Sequence, residues 1–240
     1  MIKNKGMVNK MDKYYTLDVA GVKRDLPLCP LNDSLSIAAF VIFGDVELTV
    51  KCAEALLKIA PADFDVMITA ESKGIPLIHE MARQQGVNKY ILARKSPKLY
   101  MKEMVSTEVT SITTAKKQTL YLDGADMAYM HGKKVLIVDD VISTGESLTA
   151  LETLVEKAGG VIVGKMAVLA EGDAQRRDDI RYLAPLPLFD AAPALDLFSL
   201  HSHLSLSHLL RMQSTAVSTS LSSPLIACGT RSTRRSVTHF

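Results

Sequence analysis

Apolar residues in the first 190 positions follow two alternating patterns. Stripes at helical spacing, such as Leu48, Cys52, Leu56 and Ile59, are typical of amphipathic helices. Short continuous apolar runs, such as the VLIV run from Val135 to Val138, are typical of buried strands. These patterns predict helices over Asp45–Ala60, Gly74–Gln85 and Leu148–Ala158, and strands over Asp65–Ala70, Tyr90–Arg94, Leu120–Leu122, Val135–Val138 and Val161–Ala170.

The repeated order of strand, loop and helix predicts an α/β fold with a mostly parallel central sheet flanked by helices. In open sheets of this kind, ligands bind at the carboxyl ends of the strands. We therefore expect the chemistry of the protein in the loops that follow the predicted strands.

Composition narrows the class of protein further. The 240 residues carry a formal charge of +2, so bulk nucleic-acid binding is not expected. Three scattered cysteines indicate neither a disulfide framework nor a zinc site. The basic start lacks the apolar region of a secretory signal, and no apolar run is long enough to span a membrane. The expected location is the cytoplasm, with no membrane partner.

A change of composition divides the chain near Asp190. Residues 191–240 contain 16 Ser or Thr among 50 residues and no lysine, which predicts a poorly ordered tail, native or foreign to the domain. We expect three parts: an N-terminal extension (1–13), one domain (14–190) and the tail (191–240). The true start of translation stays open, since Met7 and Met11 are alternatives.

The segment from Val135 to Ser147 carries the strongest chemical signal. A buried strand ends in Asp139 and Asp140, and a turn of small hydroxyl residues with Gly145 leads directly into a helix. Unpaired backbone N–H groups at a helix start bind phosphate, while paired carboxylates suit sugar hydroxyls. Together they indicate a ribose phosphate.

A purely structural interpretation of the same turn exists. Ser143 and Glu146 match a capping box, in which the two side chains satisfy the free N–H groups of the helix without any ligand.

The full string resembles the signature of the type I phosphoribosyltransferases: an apolar strand, two acids, two variable residues and then Ser/Thr-Thr-Gly. Glu71-Ser-Lys-Gly74 resembles the pyrophosphate loop of the family, and Arg94-Lys95 its diphosphate-binding pair. The polar stretch 96–118 resembles its mobile lid, with Tyr100, Lys102, Lys116 and Lys117 as candidate diphosphate contacts. The resemblance covers 14–189 and is strongest to adenine phosphoribosyltransferase and its bacterial paralogues.

The resemblance implies the type I phosphoribosyltransferase fold with a small N-terminal hood and a mobile lid loop. It also implies transfer of ribose 5-phosphate from phosphoribosyl pyrophosphate to adenine in purine salvage, with Mg²⁺ as cofactor and a homodimer as the assembly. Asp139 and Asp140 would be catalytic, holding the ribose hydroxyls and, through water, the metal, with no direct metal ligand. The 5-phosphate would lie against Val141, Ile142, Ser143, Thr144, Gly145, Glu146 and Ser147, and the diphosphate against Ser72, Lys73, Gly74, Arg94 and Lys95.

Base recognition is the least determined part. The hood, expected over Leu26–Gly44, offers Phe40 and Phe43, although aromatic residues in such an apolar run are commonly core; Ile142 and the Glu171–Asp173 turn are further candidates. The lid lacks the glutamate of adenine enzymes, and Glu146 replaces a usual glycine. The alternatives are therefore an enzyme for xanthine, hypoxanthine or orotate, or a non-catalytic regulator that senses phosphoribosyl pyrophosphate.

Overall fold

The structure is a computed structural model that describes residues 14–109 and 118–190. The expected N-terminal extension (1–13) and Ser/Thr-rich tail (191–240) lie outside the described residues. Lys116 and Lys117 of the expected lid lie outside them as well.

A five-stranded parallel sheet forms the centre of the domain. Its strands, in spatial order, are β10 (Arg181–Leu186), β9 (Val161–Glu171), β8 (Lys134–Ile142), β4 (Val66–Ala70) and β5 (Ile91–Ala93). All four pairings are parallel, so the predicted fold class is confirmed. The carboxyl ends of β4, β5, β8 and β9 consequently lie along one edge of the sheet.

Helices cover both faces of this sheet. Side chains of α1 (Val46–Ile59) and α2 (Ile75–Gln85) form one core with Leu136 and Val138 of β8. On the other face, α4 (Glu146–Lys157) and the short α3 (Gly124–Met130) form a second core with Val135 and Ile137. Because successive side chains of a strand point to opposite faces, β8 contributes to both cores and is buried nearly throughout.

An antiparallel hood sheet stands over this edge of the domain. It contains β1 (Tyr14–Val19), β2 (Val22–Asn32), β3 (Leu35–Ala38) and the C-terminal β11 (Leu188–Asp190), in that order. Its buried residues Leu17 and Leu26 join the same core as α1 and α2. The hood thus includes both ends of the described chain, whereas the sequence predicted an N-terminal segment alone.

The expected lid contains more structure than predicted. Strand β6 (Val105–Val109) pairs antiparallel with β7 (Gln118–Leu122), and the residues between them lie outside the described chain. The Lys157 Nζ of α4 donates a hydrogen bond of 2.8 Å to the backbone oxygen of Ser106. The expected lid loop is therefore in part a β-strand, because Val105–Val109 forms a ladder with β7 and Ser106 contacts α4.

Asp45 joins the hood to the first helix. Its carboxylate caps α1 by accepting from the Leu48 N–H at 3.0 Å, and it pairs with the Arg24 Nε of β2 at 2.6 Å. The hydrogen bond from Arg24 is the main cause of the lowered pKa of Asp45. The carboxylate therefore stabilises the folded chain while it is ionised.

We predict that Asp45→Ala lowers the free energy of unfolding at pH 7 by about 1–2 kcal/mol, because a helix cap and an ion pair are both lost. Asp45→Asn, which can still cap, loses less. Since the pKa is lowered in the folded state, this contribution is present above the unfolded-state pKa and is lost as pH falls through the folded-state value. Urea unfolding of the three proteins measures the difference, and equal losses for Asn and Ala would contradict the capping role.

Candidate functional site

A cleft of about 350 Å³ lies between the hood and the carboxyl edge of the central sheet. The hood contributes residues from Ile37 to Val41. The sheet side includes these residues that the sequence singled out: Ser72, Lys73, Lys95, Asp139, Asp140, Val141, Ser143 and Ser147. Loops distant in sequence are therefore brought into one cavity, as parallel strands that end at one edge require.

Asp139 and Asp140 are the buried acids of this cleft. Asp139 is 8% exposed and Asp140 4% exposed, near the end of β8. Asp139 Oδ1 accepts from the backbone N–H of Asp140 at 2.9 Å and from the Ser72 hydroxyl at 3.4 Å. Burial, followed by the neighbouring charge of Asp140, raises the pKa of Asp139. The site therefore holds a carboxyl group whose ionised form is costly in the absence of a ligand.

Lys73 connects the second acid to the hood. Its Nζ lies 3.3 Å from Asp140 Oδ2 and donates to the backbone oxygen of Phe40 at 2.8 Å. Asp140 Oδ2 is buried, and no group among the described residues donates a hydrogen bond to it. An oxygen in this state is suited to a sugar hydroxyl or to a water bound to a cation.

The turn after β8 has the shape of a phosphate cradle. Gly145 adopts a φ of +83° and is the N-cap of α4, and no side chain caps the helix within the described part of the chain. Ser143, Thr144 and Ser147 are exposed around it. The first N–H groups of α4 and these hydroxyls are thus available to a negatively charged group.

The capping-box interpretation does not hold. It requires Ser143 at the N-cap, but the N-cap is Gly145 and Glu146 is the first residue of α4. The left-handed conformation that Gly145 permits places the helix start two residues after Ser143, so Ser143 is not the N-cap.

Glu71 links the pyrophosphate loop to the basic pair. Its Oε2 accepts from the Lys95 N–H at 2.8 Å and its Oε1 lies 3.1 Å from Arg94 Nη2. The hydrogen bond from Lys95 is the main cause of the lowered pKa of Glu71, so the carboxylate stays ionised. Arg94 Nη1 also donates to the Tyr100 hydroxyl at 2.7 Å. The basic pair is therefore held beside the loop that follows β4.

Gly74 is required by a close approach of side chains and not by its backbone angles. A Cβ at this position would lie 2.8 Å from Thr69 Oγ1 and 3.2 Å from Asp139 Oδ1. Any larger residue would displace the loop from the acids.

Of the three residues predicted for the base pocket, Phe40 lines the cleft, and Phe43 and Ile142 do not. Phe40 lines the cleft although it is only 3% exposed and belongs to the core. Phe43 is 54% exposed and lies outside the cleft, and Ile142 is buried among core residues of the second face. The cleft instead includes Val141, Leu120, Leu186 and the half-buried Glu171. Leu120 and Leu186 were not singled out, because nothing in the local sequence separates them from core residues.

Among the residues that the structure describes, no group of three or more His, Cys, Asp or Glu side chains is placed to hold a metal ion. The two adjacent carboxylates fit a cation whose other ligands are substrate oxygens and water, since Asp140 Oδ2 accepts no hydrogen bond from the described residues. In the same part of the chain, no helix is long and apolar enough to cross a membrane.

Comparison with known proteins agrees with this geometry. The family model of the phosphoribosyl transferase domain matches residues 47–185 of the chain. The chain belongs to this family of type I phosphoribosyltransferases, as its motifs predicted.

The relatives divide according to the base in their names. The chain is 34% identical over 146 residues to a hypoxanthine/guanine phosphoribosyltransferase of Methanothermococcus okinawensis, a match that covers 61% of this chain and 72% of the relative. It is 32% identical over 147 residues to the enzyme of the same name from Methanocella paludicola, covering 61% and 70%. The fold is similar to adenine phosphoribosyltransferase from Thermoanaerobacter pseudethanolicus, with a TM-score of 0.55, 22% identity and coverage of 66% and 93%.

We predict that Asp139→Asn stabilises the protein without ligand while lowering turnover by about 100-fold, a typical cost of removing a group that positions the reacting atoms. Because the pKa of Asp139 is raised in the folded state, its ionisation opposes folding increasingly as pH rises from the unfolded-state pKa to the folded-state pKa, and the cost stays constant above the folded-state value. Asparagine removes this cost, and the gain disappears below the unfolded-state pKa, where both side chains are neutral.

Thermal unfolding between pH 3 and pH 9 measures this effect. Asp140→Asn is the matched comparison and is expected to give no such gain, because it removes the carboxylate that pairs with Lys73. Destabilisation by Asp139→Asn at every pH would contradict the account.

Proposed function

We propose that the chain is a purine phosphoribosyltransferase that transfers ribose 5-phosphate from phosphoribosyl pyrophosphate to a ring nitrogen of adenine and releases pyrophosphate. The observation that carries this proposal is the combination, in one cleft, of two buried acids with an uncapped helix start and a basic loop. Each element matches one part of the donor substrate.

The 5-phosphate lies in the turn Ser143–Ser147, where it accepts from backbone N–H groups and hydroxyls of the first turn of α4. Asp139 and Asp140 accept from the ribose hydroxyls. Lys73, Arg94 and Lys95 hold the diphosphate, with Ser72 and Gly74 in the same loop.

On binding, Lys73 exchanges its bonds to Asp140 and Phe40 for the diphosphate. This exchange frees the Asp140 carboxylate for the ribose. It also releases the backbone oxygen of Phe40 beside the base, so that donor binding prepares the base site.

A bound Mg²⁺ supplies charge neutralisation for the diphosphate and orients it as the leaving group. Asp139 and Asp140 are the residues that would hold its waters. The acids remain close to the anomeric carbon, whose positive charge in the transition state their own negative charge stabilises.

Glu171 supports adenine as the base. Its carboxyl lies at the end of β9 in the same cleft as Phe40 and Val141. Burial raises its pKa, and the positive charge of Lys73 opposes that shift. When it is ionised, as the charge of Lys73 favours, the Glu171 carboxylate accepts from the 6-amino group of adenine but repels the 6-oxo group of hypoxanthine. Sites built for such a hydrogen bond discriminate strongly.

A second candidate is an enzyme for hypoxanthine or guanine, favoured by the relatives at 34% and 32% identity, which are hypoxanthine/guanine phosphoribosyltransferases. Initial rates of pyrophosphate release with phosphoribosyl pyrophosphate and Mg²⁺ separate the candidates when adenine, hypoxanthine, guanine, xanthine and orotate are compared. Turnover with adenine that is lost in the Asp139→Asn, Asp140→Asn protein supports the proposal. Turnover with hypoxanthine or guanine alone supports the second candidate, and turnover with xanthine or orotate alone contradicts both. Donor binding without turnover of any base favours a non-catalytic sensor.

We predict that Glu171→Gln increases the ratio of kcat/KM for hypoxanthine to kcat/KM for adenine by about tenfold, because an amide also donates to a 6-oxo group. Asp173→Asn is the matched control, since Asp173 lies two residues further on and its side chain is 96% exposed. A ratio that is unchanged in Glu171→Gln, or equally changed in both variants, would contradict a role of Glu171 in base choice.

A further inference from the structure

Arg177 lies against the phosphate turn although it is distant from it in sequence. A Cβ placed on Gly145 would lie 2.6 Å from Arg177 Nη1 and 3.8 Å from its Cζ. The guanidinium therefore occupies the space beside the α-carbon of the one residue in the turn that has a left-handed φ. Arg177 lies within the family match of residues 47–185, but it is not part of the sequence motifs described above.

A chain of charged groups fixes this position. Arg177 donates to both oxygens of Asp179, from Nε at 2.9 Å and from Nη2 at 2.7 Å. Lys165 of β9 then pairs with Asp179 and, at 2.7 Å, with Glu152 of α4. The hydrogen bond from Arg177, and then that from Lys165, lowers the pKa of Asp179, so the acid stays ionised.

The bidentate pair uses two nitrogens of the guanidinium and leaves Nη1 directed at Gly145. Since Arg is planar, fixing two of its nitrogens also fixes the third. The same network reaches α4 through Glu152, so one set of side chains contacts both the N-cap of this helix and its second turn.

We propose that Arg177 is a positioning residue for the 5-phosphate of phosphoribosyl pyrophosphate and of the nucleotide product. It holds Gly145 in the conformation that presents the N–H groups of the turn before the ligand arrives. This inference rests on the proposed function, because it assigns the phosphate to the same turn. A turn that is already ordered loses less entropy when it binds, and this raises affinity.

Geometry, more than charge, carries this role. Arg177 and Lys165 balance Asp179 and Glu152, so the network as a whole is neutral. A lysine at position 177 would retain the positive charge but lacks the fork that contacts Asp179 and Gly145 together.

Calorimetric titration with ribose 5-phosphate and, separately, with pyrophosphate and Mg²⁺ tests the proposal. We expect Arg177→Gln to weaken ribose 5-phosphate binding by about tenfold, which corresponds to about 1.4 kcal/mol, and to leave pyrophosphate binding unchanged. Arg176→Gln is the matched control, because the neighbouring Arg176 is 78% exposed and, among the described residues, forms an ion pair only with Asp173. It should change neither affinity.

Turnover gives a second readout. A positioning role in ground-state binding predicts a higher KM for phosphoribosyl pyrophosphate in Arg177→Gln with a much smaller change in kcat. Arg177→Lys should be as defective as Arg177→Gln. Full rescue by lysine would overturn the positioning role in favour of a simple charge effect. An equal loss of affinity for ribose 5-phosphate and for pyrophosphate would also overturn it, because it would show a general loss of structure.

Gly145→Ala supplies an independent check. In the wild-type background the alanine has two unfavourable effects: its backbone must adopt a left-handed φ, and its methyl group clashes with Arg177 Nη1. In the Arg177→Gln background only the first cost remains, so we expect the loss of ribose 5-phosphate affinity from Gly145→Ala to be smaller there. Strictly additive losses would contradict direct contact between the two residues.

The two hypotheses fail in different ways. If the wild-type protein binds ribose 5-phosphate with the expected dependence on Arg177 but turns over no base, the proposed function fails and the role of Arg177 stands. If turnover occurs and Arg177→Gln binds ribose 5-phosphate normally, the role of Arg177 fails and the function stands. Absence of ribose 5-phosphate binding by the wild type overturns both.

Discussion

The placement of two carboxylates near the end of β8 determines the rest of the site. This strand is covered on both faces, so Asp139 and Asp140 emerge from an apolar sheet and stay almost fully buried. Burying these two charges is unfavourable, and neighbouring groups partly offset the desolvation penalty. Asp139 accepts from a backbone N–H and from the Ser72 hydroxyl, and Asp140 pairs with Lys73. The hood, the pyrophosphate loop and the helix start of α4 are all arranged around this pair.

The same constraint connects stability to function. The raised pKa of Asp139 means that its ionised form destabilises the protein without ligand. A sugar hydroxyl or a cation-bound water that donates to this carboxylate would offset part of that destabilisation. In the structure Lys73 pairs with Asp140 and donates to the backbone oxygen of Phe40. Under the proposed function, transfer of Lys73 to the diphosphate would couple donor binding to release of this hood contact.

The sequence predicted the parts of the fold whose signals are local. The VLIV run, the two acids and Gly145 define β8 and the start of α4 without reference to other segments. The strands of the hood were not predicted, because Pro27 and Pro30 interrupt the β2 pattern. The ladder tolerates these prolines through an irregular register near Pro30. Local sequence could not predict features that depend on the tertiary fold. These are the exposure of Phe43, the contact of Glu71 with Lys95 and the contact of Arg177 with Gly145.

Amide hydrogen exchange, with and without phosphoribosyl pyrophosphate and Mg²⁺, tests most directly whether this edge of the sheet is the donor site. The first amides of α4 have no side-chain cap and should exchange fast in the free protein. The account predicts that the ligand slows exchange in residues 143–148 and 72–74 together. Binding that protects other segments and leaves these two unchanged would contradict it.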